Sequence, residues 1–122
     1  MNLQTKLLIN AALIVVTLIA GFFLHKAGRP WPVLWLNLHK FAMLGFVVWF
    51  TMITVRFLKH NPPGILLITA LALAGISVLV LMVSGGLLSA GRLHEPMLLT
   101  HRLATLVFIL TTAGVFYRVY TG

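Results

Sequence analysis

Four long apolar segments, separated by short polar turns, make up the hydrophobic pattern of the chain. Each segment is close to the 20 or so residues that a helix needs to cross about 30 Å of hydrocarbon. Each turn contains proline and glycine, which commonly end helices. The pattern predicts four membrane-spanning helices, over about residues 3–24, 33–58, 65–88 and 97–120. We expect the first to be a retained span rather than a cleaved signal peptide.

The length of the segments also predicts the fold class. Only helices and closed barrels satisfy the backbone within a bilayer, and runs this long and this uniformly apolar are not barrel strands. The turns are short, so consecutive helices should be antiparallel neighbours. We therefore predict an all-α fold, a four-transmembrane-helix bundle that forms one integral membrane domain over residues 1–122.

The composition indicates a membrane protein and argues against a soluble domain, a nucleic-acid-binding protein and an iron–sulfur protein. Of the 122 residues, 61% are hydrophobic and 8% are charged, more apolar surface than a soluble domain of this size can bury. The net charge is +8, and the basic residues flank the apolar segments, where anionic lipid head groups attract them. We therefore expect a lipid bilayer and no nucleic acid as partner. The chain has no cysteine, which excludes disulfides and iron–sulfur ligation.

A repeat relates the two halves of the chain. A shift of 62 positions, from His39 to His101, aligns the start of the second apolar segment with the start of the fourth. Just upstream, the tripeptide Ala-Gly-Arg occurs at 27–29 and again at 90–92. We interpret the chain as two tandem helix pairs, about 1–60 and about 61–122. The shift also aligns Lys40 with Arg102, Ala42 with Ala104, Leu44 with Leu106, Phe46 with Phe108 and Arg56 with Arg118.

The two matched histidines are the strongest candidates for chemistry. At 1.5 Å per residue, both lie about 8–10 Å inside their predicted helices. Ionisable side chains within a span are usually functional, and imidazole is a common metal ligand. The alternative for a single histidine is an interhelical hydrogen bond. Because haem iron asks for two axial ligands and a bare zinc or copper ion for three or four, the pair favours haem.

The residues around the histidines suit a porphyrin. Small residues near each ligand leave room for a flat ring, and phenylalanines at i+7 can line its edge. A basic residue directly after each histidine can pair with a propionate. The alternatives are ordinary helix packing and snorkelling of the basic side chains towards lipid. The predicted cofactor site consists of His39 and His101 as iron ligands, with Lys40, Arg102, Ala42, Gly45, Phe46, Ala104 and Phe108 around the ring.

Further polar residues lie in the turns on the same side as the histidines. This side carries the 25–39 and 90–101 segments, so we expect the haem near that face. Arg29 and Arg92 are further candidate partners for propionates, and His25, His94 and Glu95 are candidate proton acceptors. The alternative for Glu95 is a favourable charge at a helix start. The basic residues divide almost evenly between the two sides and leave the orientation open.

A short apolar bundle with His-Lys and His-Arg near the starts of its second and fourth helices resembles the small membrane-embedded b-type cytochromes. This broad bacterial group includes superoxide oxidase and the cytochrome b subunits of hydrogenases and formate dehydrogenases. The resemblance covers the helical core of the whole chain. It implies a bis-histidine haem b, redox exchange with quinones or small oxidants, and association with larger complexes. Family members often carry two haems, whereas the matched histidines here support one.

These observations lead to a functional expectation with two rivals. We expect one haem b per chain, which passes single electrons between quinone or quinol, or a small oxidant such as superoxide, and a partner. The candidate partners are a larger respiratory or redox complex and a second copy of the chain, in a bacterial or archaeal plasma membrane. Enzyme activity is left open; it would be that of an oxidoreductase acting on quinol or superoxide. The rivals are a metal-ion transporter or channel that uses the histidine cluster, and a non-redox accessory subunit that docks through Gly75, Gly85 and Gly86.

Overall fold

The computed structural model describes residues 2–28 and 30–121, and these residues form four α-helices and no strand. The all-α, four-helix prediction is confirmed, and each helix begins and ends within three residues of its predicted limits. The helices are α1 (Leu3–Ala27), α2 (Val33–Leu58), α3 (Ile65–Ser89) and α4 (His94–Thr121).

All four helices are long and apolar enough to cross a membrane. In each one, 22% of the residues in the most apolar stretch are buried, so most of the apolar surface faces outward. Large side chains such as Leu34 and Leu66 are 73% and 85% exposed. Soluble proteins rarely expose contiguous apolar surface on this scale to water, whereas membrane proteins expose it to lipid. The protein is therefore an integral membrane protein.

The repeated Ala-Gly-Arg tripeptide marks the end of the first helix in each pair. Gly28 follows α1 with φ of 68°, and Gly91 follows α3 with φ of 75°. This left-handed conformation costs glycine little and other residues more. At the second copy the Arg92 N–H donates to the Leu87 carbonyl at 2.9 Å and the Gly91 N–H to the Leu88 carbonyl at 3.1 Å, the bonds of a Schellman cap. Arg29 lies outside the described residues.

Helix α4 begins three residues earlier than the hydropathy pattern predicts. It starts at His94 rather than Met97, and therefore includes Pro96 in its first turn. Proline is tolerated there because the first N–H groups of a helix have no intrahelical partner. Glu95 also lies in this first turn, where a carboxylate is favourable to the helix dipole. This is the structural alternative that the sequence left open for Glu95.

The described residues divide into two compact units, one up to Phe57 and the other from Leu58 onward. In the first unit, α1 and α2 form an antiparallel hairpin. Near its turn the rings of Phe23 and Trp35 stack with centroids 4.8 Å apart. Deeper in the pair, Gly45 packs against Leu13, whose Cδ2 atom would lie 3.6 Å from a Cβ on that glycine. In the second unit, α3 and α4 pack against each other in the same way.

The buried positions of the two units follow the repeat. Buried residues of α2 align with those of α4 when the sequence is shifted by 62 positions, as the histidines do. Buried residues of α1 align with those of α3 at a shift of 64 positions, for example Ala20 with Ser84. The two shifts differ because the first hairpin has two more residues between matched positions than the second. The sequence repeat therefore extends to the buried faces of all four helices. The matched buried pairs are Asn10 and Ala74, Thr17 and Leu81, Ala20 and Ser84, Leu24 and Leu88, Phe46 and Phe108, Phe50 and Thr112, and Ile53 and Val115.

Candidate functional site

His39 is held by the helix that precedes it. It lies on α2 about 9 Å from the first residue of that helix, at 1.5 Å per residue. Its Nδ1 atom is 2.8 Å from the backbone carbonyl oxygen of Thr17 on α1. A carbonyl oxygen can only accept a hydrogen bond, so the Nδ1–H group of His39 is the donor. The hydrogen bond fixes both the position of the ring and the nitrogen that carries its proton.

A glycine on α1 provides the space for this ring. A Cβ atom at Gly21 would lie 3.1 Å from Cε1 of His39 and 3.2 Å from Nδ1, closer than side chains normally pack. Gly21 is one helical turn after Thr17, so the carbonyl and the glycine lie on the same face of α1. The Nδ1–Cε1 edge of the imidazole is therefore seated directly on α1.

The second unit repeats this arrangement around His101. This residue lies on α4 about 10 Å from the start of the helix. Its Nδ1 atom is 2.9 Å from the hydroxyl oxygen of Ser84 on α3. A Cβ atom at Gly85 would lie 3.3 Å from Cε1 of His101. Each unit thus has one histidine, on its second helix, whose ring rests on a glycine and whose Nδ1 atom is hydrogen-bonded to the first helix.

This geometry determines which ring nitrogen can act as a ligand. A neutral imidazole carries one proton, and when Nδ1 holds it the lone pair is on Nε2. Metal-bound histidines in proteins commonly donate their other ring N–H to a carbonyl, carboxylate or water, which orients the ring and raises its basicity. His39 has this arrangement with a main-chain carbonyl, and His101 has it whenever Ser84 accepts the bond. The lone pair that a metal ligand needs is therefore on Nε2 of His39, and on Nε2 of His101 when Ser84 accepts the bond.

The residues predicted to surround the ring occupy different environments. Phe46 and Phe108 are each 2% exposed, and Ala42 is also buried. Ala104 is half-buried. Gly45, also half-buried, lies against Leu13 within its own helix pair, which gives it a packing role in the hairpin. Their assignment to a haem pocket stays a prediction, as does the meeting of the two histidines at one iron.

The basic residues next to the histidines are exposed. Lys40 lies on the surface of α2 and Arg102 on that of α4. Arg102 and Glu95 line a shallow depression on α4 together with Pro96, Leu98 and Leu99. Both basic side chains lie toward the turn end of their helix pairs. His25, His94 and Glu95, the candidate proton acceptors, are also exposed.

Within residues 2–28 and 30–121, no group of three or more His, Cys, Asp or Glu side chains is arranged to hold a metal ion. A bare zinc or copper ion usually requires three or four such ligands. A haem requires two axial ligands, because the porphyrin supplies the other four nitrogens.

Four residues of this arrangement were not predicted from the sequence: Thr17, Gly21, Ser84 and Gly85. The Thr17 acceptor is a main-chain atom, which leaves no sequence signature. The glycines carry a weak signal, since the 64-residue shift that aligns Gly21 with Gly85 also aligns Leu24 with Leu88. The 62-residue shift of the histidines hides this match.

Comparisons of the chain with protein-family models, with curated proteins and with solved structures found no match.

Proposed function

We propose that the chain is a membrane b-type cytochrome that holds one haem through Nε2 of His39 and Nε2 of His101. The observation that carries the proposal is the repeated setting of the two histidines. Each one bonds through Nδ1 to the preceding helix, and each rests on a glycine at matched positions of the repeat. If each histidine only made an interhelical hydrogen bond, there would be no reason for a glycine to lie against its ring in both units.

The residues present fit a bis-histidine haem. The donor set is two neutral imidazoles, which are the usual axial ligands of b-type haems in the family that the sequence resembles. The second partner of each ring is in place, because Nδ1 of His39 donates to Thr17 and Nδ1 of His101 bonds to Ser84. Both histidines lie within membrane-spanning helices, where a haem is shielded from water.

The remaining predicted residues would act on the ring and its substituents. Phe46 and Phe108 are buried one heptad after each histidine and would line the ring. Lys40 and Arg102 are exposed beside the histidines and would pair with propionates, whose carboxylates prefer basic partners at a membrane face. The same residues would keep the propionates directed to the turn end of each hairpin.

Bound haem iron would supply one-electron chemistry. The protein would hold it, exclude water and tune its potential through the two imidazoles and their hydrogen bonds. The electron donors and acceptors that fit a bilayer-embedded haem are quinol or quinone and a small oxidant such as superoxide. A partner redox complex or a second copy of the chain would exchange electrons at the histidine-bearing face of a bacterial or archaeal plasma membrane.

The proposal is tested by visible spectra of histidine variants. We expect His39→Ala and His101→Ala each to remove most of the reduced-minus-oxidised α-band of the purified protein, since each variant loses one iron ligand. His60→Ala is the matched control: it is exposed in the segment between α2 and α3, and the band should stay at wild-type intensity. A full band in either ligand variant would remove that histidine from the site.

A further inference from the structure

The two histidines bond to their first helices in different ways. In the first unit, Nδ1 of His39 reaches the Thr17 carbonyl directly, at 2.8 Å. In the second unit, Nδ1 of His101 reaches the Ser84 hydroxyl at 2.9 Å, and that hydroxyl in turn donates to the Leu81 carbonyl at 3.3 Å. Leu81 is the repeat partner of Thr17, 64 positions further on. Both hydrogen-bond chains therefore end at equivalent carbonyls of the repeat, that of Thr17 in the first unit and that of Leu81 in the second.

The difference arises from one residue. Ser84 corresponds in the repeat to Ala20, which has no side-chain hydrogen-bonding group. Both positions are fully buried, Ser84 with 1% of its surface exposed and Ala20 with none. Water therefore does not compete for the Ser84 hydroxyl. In the second unit a hydroxyl is inserted between the imidazole and the helix carbonyl, and in the first unit it is missing.

A hydroxyl and a carbonyl impose different limits on the imidazole. The carbonyl of Thr17 only accepts, so neutral His39 keeps its proton on Nδ1 and its lone pair on Nε2. The hydroxyl of Ser84 can accept from Nδ1–H or can turn and donate to a bare Nδ1. Neutral His101 can therefore adopt either tautomer without losing its hydrogen bond. In the second tautomer Nε2 carries a proton and offers no lone pair to a metal.

We propose that Ser84 makes His101 the exchangeable member of the histidine pair. The functional part of this inference rests on the proposed haem site: with His101 in the second tautomer, the chain would hold a haem through His39 alone. In the change of tautomer, Nε2 gains one proton and Nδ1 loses one, both exchanged with bulk water while the ring is turned away from Ser84; when the ring returns, the Ser84 hydroxyl donates to Nδ1 instead of to the Leu81 carbonyl. No electron moves and the net charge is unchanged. A haem held in this way would be able to bind a small neutral ligand, with carbon monoxide as the probe.

The first test needs no haem. In the full chain in detergent, prepared without haem and with ¹⁵N-labelled histidine, nitrogen chemical shifts report the tautomer of each ring. We expect His39 in the Nδ1–H form and His101 as a mixture of both forms. In Ser84→Ala, where alanine restores the residue type of position 20, His101 should bond directly to the Leu81 carbonyl and collapse to the Nδ1–H form.

Two further variants keep this test specific. Ser77→Ala is the matched control, because Ser77 is a buried serine on the same face of α3, seven residues earlier, and its hydroxyl donates to the Leu73 carbonyl. It should leave His101 unchanged. Ser84→Thr keeps the hydroxyl and should retain both tautomers, which gives a result even if Ser84→Ala fails to fold. One shared tautomer for both histidines in the wild type would overturn the inference.

The second test uses the haem-loaded protein. Reduced wild type and Ser77→Ala should bind carbon monoxide, and Ser84→Ala should bind it more weakly, because His101 then stays in the Nδ1–H form, whose Nε2 lone pair can hold the iron. Equal binding by wild type and Ser84→Ala would overturn the inference. Absence of haem from every preparation would instead overturn the proposed function, and the nitrogen shifts would then decide the tautomer inference alone.

Discussion

At the scale of single residues, the site depends on how each imidazole is seated. The sequence pointed to His39 and His101 because ionisable residues are rare in apolar helices and a matched pair is rarer still. It did not connect Gly21 or Gly85 with the histidines, because small residues are common in membrane helices for general packing reasons. The contact between a glycine and a ring edge depends on the rotation of two helices about their axes. Hydropathy does not encode that rotation.

Adding a methyl group beneath either ring should disturb the site. In Gly85→Ala the new Cβ would lie 3.3 Å from Cε1 of His101, so the ring must move by a few tenths of an ångström against its bond to Ser84. We expect haem retention to fall about tenfold, as for other losses of outer-shell support. Gly21→Ala should lower haem retention further, because its Cβ would lie closer to the ring, 3.1 Å from Cε1 of His39. Haem release to an apo-globin acceptor measures both.

The neighbouring glycine provides the control for this experiment. Gly86 is adjacent to Gly85 in α3, yet a Cβ there would meet nothing within 4 Å. Gly86→Ala should retain haem fully and gain about 0.5–1 kcal/mol of stability from the lower backbone entropy of alanine. Equal haem loss from Gly85→Ala and Gly86→Ala would show that the glycine seat does not matter.

At the scale of helices, length and apolar character were enough to predict all four elements. The two largest boundary differences are three residues each. Helix α1 continues to Ala27, and α4 begins at His94 because Pro96, interpreted as a breaker, lies in its first turn. The register between paired helices was not predictable in the same way. It is set by buried positions spaced about seven residues apart, such as Asn10, Thr17 and Leu24 in α1. This spacing suits two helices that cross at a shallow angle.

One of these buried positions, Asn10, has a polar atom without a hydrogen-bond partner. Asn10 is 1% exposed; its Nδ2 group donates to the Lys6 carbonyl, but its Oδ1 atom is buried without a hydrogen-bond partner. Its repeat partner is the apolar Ala74. We expect Asn10→Leu to raise the free energy of unfolding by about 1–3 kcal/mol, the usual cost of leaving a buried polar atom unsatisfied. Thermal unfolding in detergent, followed by helical circular dichroism, measures the change.

The control for Asn10→Leu is Gln4→Leu, which makes a similar change at an exposed position of the same helix. It should shift the transition little. A drop in stability of Asn10→Leu would contradict the account of this position, because it would mean that Oδ1 makes a stabilising interaction.

At the scale of the whole molecule, the sequence repeat is the organising feature. Two helix pairs of the same kind, each with its histidine near the turn end, account for the tandem pattern that the sequence shows. The repeat could be found from the sequence because the second and fourth helices share one shift. Its counterpart in the first and third helices was missed because the first hairpin is two residues longer between matched positions. The asymmetry at Ala20 and Ser84 becomes meaningful only once the buried faces are aligned.

The bis-histidine haem is tested most directly by the visible spectrum of the purified protein, together with its ratio of haem to protein. We predict a red preparation with a sharp Soret band, an α-band that appears on reduction, and about one haem b per chain, since two axial histidines complete one iron. A colourless preparation that takes up no added haem would contradict the central claim. So would two haems per chain, because the chain has a single matched pair of histidines within its membrane-spanning helices.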